Sequence, residues 1–213
     1  MNAQPDAPRT PRDPEKTRDR ILDAAQALIL EAGFSATTVD AVVGRAGTTK
    51  GAFFHHFASK GALAHAVIER FAEWDRKGLE QMVARAGRLS SDPLQQLLTL
   101  LALYEEVFET QGDPASGCLF ASYIYEKRLF GPETIDVLRG SVLEWRRVMR
   151  ERIDRVLVKY KPRREVDLDT LADLFYSLSE GAYVMTKTMD DRRLIAKQTR
   201  ELRNYFELLF EPR

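Results

Sequence analysis

The sequence predicts an all-α protein of nine to ten helices and no sheet. Apolar residues recur at spacings of three and four along most of the 213 residues, which is the period of an amphipathic helix. Proline and glycine stand at the ends of these periodic stretches, where they begin or end helices. The chain is 44% hydrophobic, which is enough for a substantial core.

Composition narrows the classes of function. The chain has 32 basic and 32 acidic residues, and this balance argues against a polybasic membrane binder, whereas a site-specific DNA reader needs only local basic residues. No apolar run approaches the roughly 20 residues that span a bilayer. The single cysteine, Cys118, excludes an internal disulfide and fits a cytoplasmic location. His55, His56 and His65 lack zinc-ligand spacing, so we expect neither a metal nor another cofactor.

Residues 14–60 form the first predicted domain, after an arm at 1–13 that is rich in proline and charge and is predicted to be disordered. The first helix ends at Gly33, as helices commonly do at glycine. Thr37 followed by Asp40 has the spacing of a capping box and predicts the start of a second, short helix.

A tight turn at Gly47 separates that helix from a third one, which starts at Thr48 or Thr49 and runs to about Phe57. Two short helices joined by a glycine-containing turn are typical of the helix-turn-helix, whose second helix enters the major groove of DNA. In this chain the DNA-entering helix is the third one. Its outward face carries the DNA-contacting candidates Thr48, Thr49, Lys50, Gly51, Phe54 and His55.

Four motifs lie within residues 17–71: ILDAA, GFSATTV, RAGTTKGAFFHHF and SKGAL. Together they resemble the N-terminal domain of the tetracycline-repressor family. The resemblance implies a DNA-binding transcriptional regulator in which Lys60 contacts phosphate and Thr37 and Thr38 lie near the DNA backbone. The family commonly has a tyrosine where this chain has Phe54, so the phosphate contact of that hydroxyl is lost.

The remainder of the chain is also helical by pattern. We predict a connecting helix at 61–79 and a ligand-binding and dimerisation domain at 80–213. Within that domain, helices are expected at about 93–110, 117–129, 132–160, 167–188 and 191–209, with Ser116 as the cap of the second of these.

The family resemblance implies an effector pocket among the middle helices and a homodimer built from the last two. Pockets are mostly apolar with a few polar anchors, so aromatic residues and the cysteine are the ligand-binding candidates: Trp74, Tyr104, Phe108, Cys118, Phe120, Tyr123, Trp145, Met149 and Tyr183. Broad apolar stripes on the last two helices predict the dimer interface, with the alternative that they form only an intramolecular core. The interface candidates are Leu171, Phe175, Leu178, Ala182, Leu202, Tyr205, Phe206 and Leu209.

Cys118 has two interpretations. The Gly-Cys-Leu pattern resembles a branch of the family in which some members sense electrophiles or oxidants, and a thiol in the first turn of a helix is favoured as thiolate by the field of the helix N-terminus. The alternative is a small buried hydrophobe, which free cysteine often is.

The favoured function is a repressor that binds palindromic operator DNA as a homodimer and is released by a small-molecule or electrophile effector. An activator of the same fold is one alternative. A helical ligand carrier or enzyme without DNA binding is the other, but no nucleophile–base set, phosphate-cradling glycine loop or metal cluster indicates an enzyme.

Overall fold

The computed structural model describes residues 14–110 and 117–212, and these contain nine α-helices and two short strands. The described residues fall into two compact units that divide between Val67 and Ile68. The predicted arm at 1–13 and the predicted cap Ser116 lie outside the described residues. None of the helices within the described ranges combines the length and apolarity that crossing a membrane requires.

The first unit consists of three helices and the beginning of a fourth: α1 (Pro14–Ala32), α2 (Val39–Arg45), α3 (Lys50–His56) and α4 (Lys60–Leu89). Each of the first three helices buries an apolar residue, and Ile21, Val42 and Phe53 are almost completely shielded from solvent. Burial of these side chains holds α2 and α3 against α1, since helices this short have little stability of their own.

The turn between α2 and α3 depends on Gly47, whose φ of 60° lies in the left-handed region. A side chain in that conformation costs roughly 1–2 kcal/mol, which explains glycine here. Thr49 caps α3 by accepting a hydrogen bond from the backbone N–H of Ala52. The predicted helix-turn-helix is therefore present at the predicted position.

The capping box predicted at Thr37 was wrong by one residue. Thr38 is the N-cap of α2, and its hydroxyl accepts a hydrogen bond from the N–H of Ala41. Thr37 instead lies in the core of the unit, where its hydroxyl donates to the carbonyl of Gly33 over 2.8 Å.

The second unit contains the remainder of α4 and five further helices: α5 (Pro93–Thr110), α6 (Leu119–Tyr125), α7 (Pro132–Lys159), α8 (Leu168–Met189) and α9 (Leu194–Leu209). Its hydrophobic core lies among α5, α7, α8 and α9. Pro132 at the start of α7 and the Asp167 cap of α8 stand where the sequence predicted the beginnings of these helices.

Two predicted helix bounds were wrong. The connecting helix extends to Leu89 rather than to residue 79, because Met82, Val83 and Ala86 continue its apolar stripe and pack against the core. The helix predicted at 117–129 is shorter: α6 ends at Tyr125, and a single turn of 3₁₀ helix follows at Lys127–Leu129.

The prediction of no sheet was also wrong. Strands β1 (Tyr160–Pro162) and β2 (Phe210–Pro212) pair antiparallel, with Lys161 opposite Glu211. Their ammonium and carboxylate groups lie 3.2 Å apart. Three-residue strands directly after helices are too short to show an alternating pattern, so they could not be predicted from the sequence.

Most of the predicted dimer-interface residues are used inside the chain. Leu171, Phe175, Leu202, Phe206 and Leu209 belong to the core of the second unit. Ala182 is also buried, and Leu178 is partly buried against the same core. Of the eight candidates, only Tyr205 is largely exposed. The broad stripes on α8 and α9 thus reflect burial against α5 and α7.

A buried carboxylate joins α5 to α9. Glu105 is 5% exposed, and one of its oxygens accepts a hydrogen bond from Nε of Arg200 over 2.7 Å. The other oxygen lies 3.4 Å from a guanidinium nitrogen of Arg203. Arg200 also donates to Glu109, which is exposed near the end of α5.

Replacing Glu105 with alanine is expected to lower the free energy of unfolding by about 2 kcal/mol, because Arg200 loses a buried hydrogen-bonding partner and Arg203 loses an ion-pair partner. Glu109→Ala removes a partner of the same Arg200 at an exposed position, and its effect should stay below about 0.5 kcal/mol. Urea unfolding followed by circular dichroism measures both. Equal effects of the two variants would show that Glu105 does not stabilise the contact between α5 and α9.

Candidate nucleic-acid interface and effector site

The candidate nucleic-acid interface is the outward face of α3. Phe53 on the opposite face is buried, and this fixes the orientation of the helix. The candidates Thr49, Lys50, Gly51, Phe54 and His55 are exposed, and Thr48 is partly exposed. These residues occupy a single short helix and its cap, which has the dimensions of a helix that enters a major groove.

Lys50 is the only candidate on this face that carries a full positive charge. Its ammonium group lies 2.7 Å from a carboxylate oxygen of Asp40 on α2, and both side chains are exposed. An exposed pair of this kind contributes less than about 1 kcal/mol. Lys50 can therefore exchange Asp40 for a phosphate or a guanine edge at little cost.

Phe54 presents an apolar surface beside Lys50. The ring is 54% exposed and stands edge-on to Phe53, with 5.1 Å between the ring centroids. A solvated phenyl ring on a reading helix can contact a thymine methyl group, which lies in the major groove.

The residues expected near the DNA backbone have different environments. Thr38 is exposed, whereas Thr37 is buried, so its side chain offers no surface to a phosphate. The ammonium group of Lys60 donates to the carbonyl of Ser35 over 3.3 Å and lies 4.1 Å from the centroid of the Phe34 ring. Lys60 is thereby held beside the loop that precedes α2.

In the second unit, four of the ligand-binding candidates form one aromatic cluster. The ring of Tyr104 lies 4.9 Å from Phe108 and 5.7 Å from Trp145, and Phe108 lies 5.8 Å from Tyr183. Phe175, which was predicted to lie in the dimer interface, stacks on Trp145 with 4.6 Å between the ring centroids. The cluster joins α5, α7 and α8.

Four other candidates lie outside this cluster. Trp74 is 62% exposed, and Met149 is completely buried in the core. Phe120 packs edge-on against Phe71 at 4.9 Å. Tyr123 stacks on Phe130 at 4.6 Å. The nine candidates thus do not line a single pocket.

Two acidic residues beside the aromatic cluster were missed from the sequence. Asp75 on α4 accepts a hydrogen bond from the indole N–H of Trp145 over 2.8 Å, and burial raises the pKa of its carboxyl to about 6. Burial also raises the pKa of Glu180 on α8, although hydrogen bonds from Cys118 and Tyr176 act in the opposite direction. Asp75 stands four residues from Phe71 and from Leu79, within an apolar stripe, which is a signal that the sequence did contain.

The environment of Cys118 contradicts the expected activation of its thiol. Cys118 is the N-cap residue of α6 rather than a residue of its first turn, and its side chain makes no capping hydrogen bond. Burial raises its pKa well above the usual value, and the negative charge of Glu180 raises it further. Backbone groups of Ala121 and Phe120 lower it, but by less. The protonated thiol is therefore favoured.

Among the described residues, no three histidine, cysteine, aspartate or glutamate side chains are grouped as metal ligands. The chemistry that these sites offer is recognition: a basic and apolar helix face in the first unit, and acidic groups beside aromatic rings in the second.

Family models match both units of the chain. Residues 21–67 match bacterial regulatory proteins of the tetR family, and residues 93–202 match the tetracyclin repressor-like C-terminal domain.

Curated relatives and solved structures agree with these matches. The chain is 32% identical over 103 residues to the HTH-type transcriptional repressor KstR2 from Mycolicibacterium smegmatis, an alignment that spans 48% of each protein. It is 25% identical over 179 residues to the HTH-type transcriptional repressor DhaR from Mycobacterium sp., which covers 82% of this chain and 84% of DhaR. The crystal structure of a TetR transcriptional regulator from Chloroflexus aurantiacus has a TM-score of 0.75 at 22% identity, covering 95% of this chain and 100% of that one.

The protonated state of Cys118 has a kinetic consequence. Because the thiolate is the reactive form, iodoacetamide should alkylate Cys118 in the folded protein at pH 8 at least about tenfold more slowly than in the unfolded protein. Glu180→Gln removes one cause of the raised pKa and should accelerate the reaction in the folded state. Mass spectrometry follows the reaction at this single cysteine. A folded-state rate that equals or exceeds the unfolded-state rate would restore the sensor interpretation.

Proposed function

The chain belongs to the tetR family of bacterial regulatory proteins and is a DNA-binding transcriptional regulator, and we propose that it acts as a homodimeric repressor that a small-molecule effector releases from a palindromic operator. The observation that carries the proposal is the exposed face of α3, where Lys50 and Phe54 stand outward on a helix anchored by the buried Phe53. A two-fold dimer presents this face twice, and the symmetry of the operator mirrors that of the protein.

We assign the DNA contacts by exposure. Thr48, Thr49, Lys50, Gly51, Phe54 and His55 are proposed to face the base edges and the adjoining phosphates. Thr38 and Lys60 are proposed to contact the backbone, whereas Thr37 is left out because it is buried. The hydroxyl oxygen of Thr49 already accepts the capping hydrogen bond, but its proton remains able to donate to a phosphate.

We place the dimer interface on the faces of α8 and α9 that the core leaves exposed. On α8, Gly181, Val184 and Met185 are exposed at helical spacing, and on α9 Tyr205 and Leu208 are exposed. Leu208 is 72% exposed, which is costly for a leucine that has no partner. A four-helix bundle formed by two copies of this helix pair would cover these residues, and the glycine would permit close approach of the helices.

Release by an effector requires that ligand and DNA favour different conformations, and each must then weaken the binding of the other. Helix α4 is the covalent element through which this coupling is proposed to pass. It begins at Lys60, a proposed phosphate contact, and contains Asp75, which is hydrogen-bonded to Trp145 beside the aromatic cluster. The proposed effector is a small molecule that binds in the second unit.

The two proposed lysine contacts should respond differently to substitution. Lys60→Ala should weaken binding to all sequences and reduce the slope of log affinity against log salt by about 1, because one phosphate contact is lost. Lys50→Ala should cost about 1–3 kcal/mol on the preferred site and relax base preference there. Fluorescence anisotropy with operator and unrelated duplexes at several salt concentrations measures both effects.

The matched control is Lys77→Ala, which makes the same chemical change at an exposed lysine of the second unit. Its binding curve should coincide with that of the unaltered protein. If all three variants bind DNA equally well, α3 and Lys60 are not the reading elements.

The dimer interface is tested at Val184 and Leu208. Val184→Glu combined with Leu208→Glu should convert the dimer to a monomer and abolish tight operator binding, because charges would be buried between apolar faces. Val158→Glu is the control, since Val158 on α7 is also highly exposed but lies outside the proposed faces. Sedimentation velocity reports the oligomeric state. A double variant that remains dimeric, with a helical content equal to that of the control, would place the interface elsewhere.

A further inference from the structure

An open groove of about 310 Å³ lies between α4 and α7 in the second unit. Small and apolar groups line part of its walls, from Ala72 on α4 and from Val137, Gly140 and Ser141 on α7, and the other lining residues are charged. A side chain at Gly140 would meet no atom within 4 Å of its Cβ, so this glycine leaves one wall of the groove open. The space lies at the lower end of the range of small-molecule sites.

Most of the charged residues that line the groove are acidic. Glu69, Glu73, Asp75 and Glu144 supply four carboxylates, against the single guanidinium of Arg76. Arg76 donates to both carboxylate oxygens of Glu73 and also forms an ion pair with Glu80 outside the groove. The charge of Arg76 is thus neutralised by residues of its own helix.

Asp75 differs from the other acidic residues of the groove. Glu73 is paired with Arg76 and Lys77, and Glu144 is paired with Arg147. In the described part of the chain, Asp75 is hydrogen-bonded to the neutral indole of Trp145, and no basic side chain forms an ion pair with it. Burying a carboxylate without a cation is unfavourable, and a bound cation would relieve that cost.

We propose that the groove between α4 and α7 binds a small organic cation, with an ammonium group against Asp75 and an apolar body against Ala72, Val137 and Gly140. The ligand class follows from the carboxylate of Asp75, whose partner is a neutral indole, and from the apolar walls. That the cation acts as the effector rests on the proposed function, whereas the binding itself does not.

The position of Asp75 would connect this site to the rest of the second unit. Asp75 holds the indole N–H of Trp145, and Trp145 stacks on Phe175 of α8 at 4.6 Å. A cation that attracts the Asp75 carboxylate competes with this hydrogen bond. Occupation of the groove is thereby coupled to the aromatic cluster and to α8, which carries part of the proposed dimer interface.

Isothermal titration calorimetry on the full chain at pH 7.5 tests the site with two probes of nearly equal shape. These are 4-phenylbutylammonium and the neutral 4-phenylbutan-1-ol. The ammonium probe should bind at least about tenfold more tightly than the alcohol, because a charge-assisted hydrogen bond to a carboxylate is stronger than a neutral one. Asp75→Asn should remove this preference and leave binding of the alcohol nearly unchanged.

Asp154→Asn is the matched control, because it makes the same change at an exposed carboxylate of α7 that is paired with Arg150. It should retain the preference for the ammonium probe. Gly140→Leu fills the groove without removing a charge and should abolish binding of both probes, so it tests the location even if Asp75→Asn is poorly folded.

Three results would overturn the proposal: no binding of either probe, equal binding of both, or a preference that survives both Asp75→Asn and Gly140→Leu. Operator binding is measured separately by anisotropy. A protein that binds operator but not the ammonium probe contradicts only this inference, whereas one that binds the probe but no DNA contradicts only the proposed function.

Discussion

The packing of α8 and α9 against α5 and α7 determines what the second unit can present to other molecules. Each of these helices has an apolar face, and most of that face is buried in the core, where Phe175 and Phe206 are almost fully shielded from solvent. Glu105 on α5 also accepts a hydrogen bond from Arg200 on α9. What remains exposed on α8 and α9 is a smaller apolar surface that includes Val184 and Leu208. This exposed surface is the one on which the proposed dimer would form.

In the first unit, too, burial of one face of a helix determines which face is exposed to solvent. Helix α3 has seven residues and would not persist alone, so the burial of Phe53 and the Thr49 cap supply its stability. Because Phe53 is fixed inward, Lys50, Phe54 and His55 are directed outward. The left-handed turn at Gly47 sets the angle between α2 and α3. The proposed DNA recognition therefore also depends on Phe53 and Gly47, which are not proposed DNA contacts.

Much of the fold could be predicted from the sequence because its helices carry strong local signals. Pro93, Pro132 and Ser59 mark helix starts, and Gly47 marks the turn of the helix-turn-helix. The interface residues and the pocket were predicted less well. Apolar periodicity indicates which face of α9 is buried but not whether its partner is the same chain or another. Phe206 was therefore predicted to lie in the dimer interface, whereas it lies in the core of the second unit.

The environment of Cys118 could not be predicted from the sequence. The helix-terminal position of Cys118 suggested an activated thiol, but Glu180 reaches it from α8, 62 residues away in the chain, and together with burial it favours the protonated form. Selection of bound duplexes from a random DNA pool by the protein tests whether it reads a palindromic operator as a dimer. We expect enrichment of an inverted repeat whose half-sites are about one helical turn apart or slightly more. Recovery of unenriched sequence, or of a single half-site without its repeat, would contradict it.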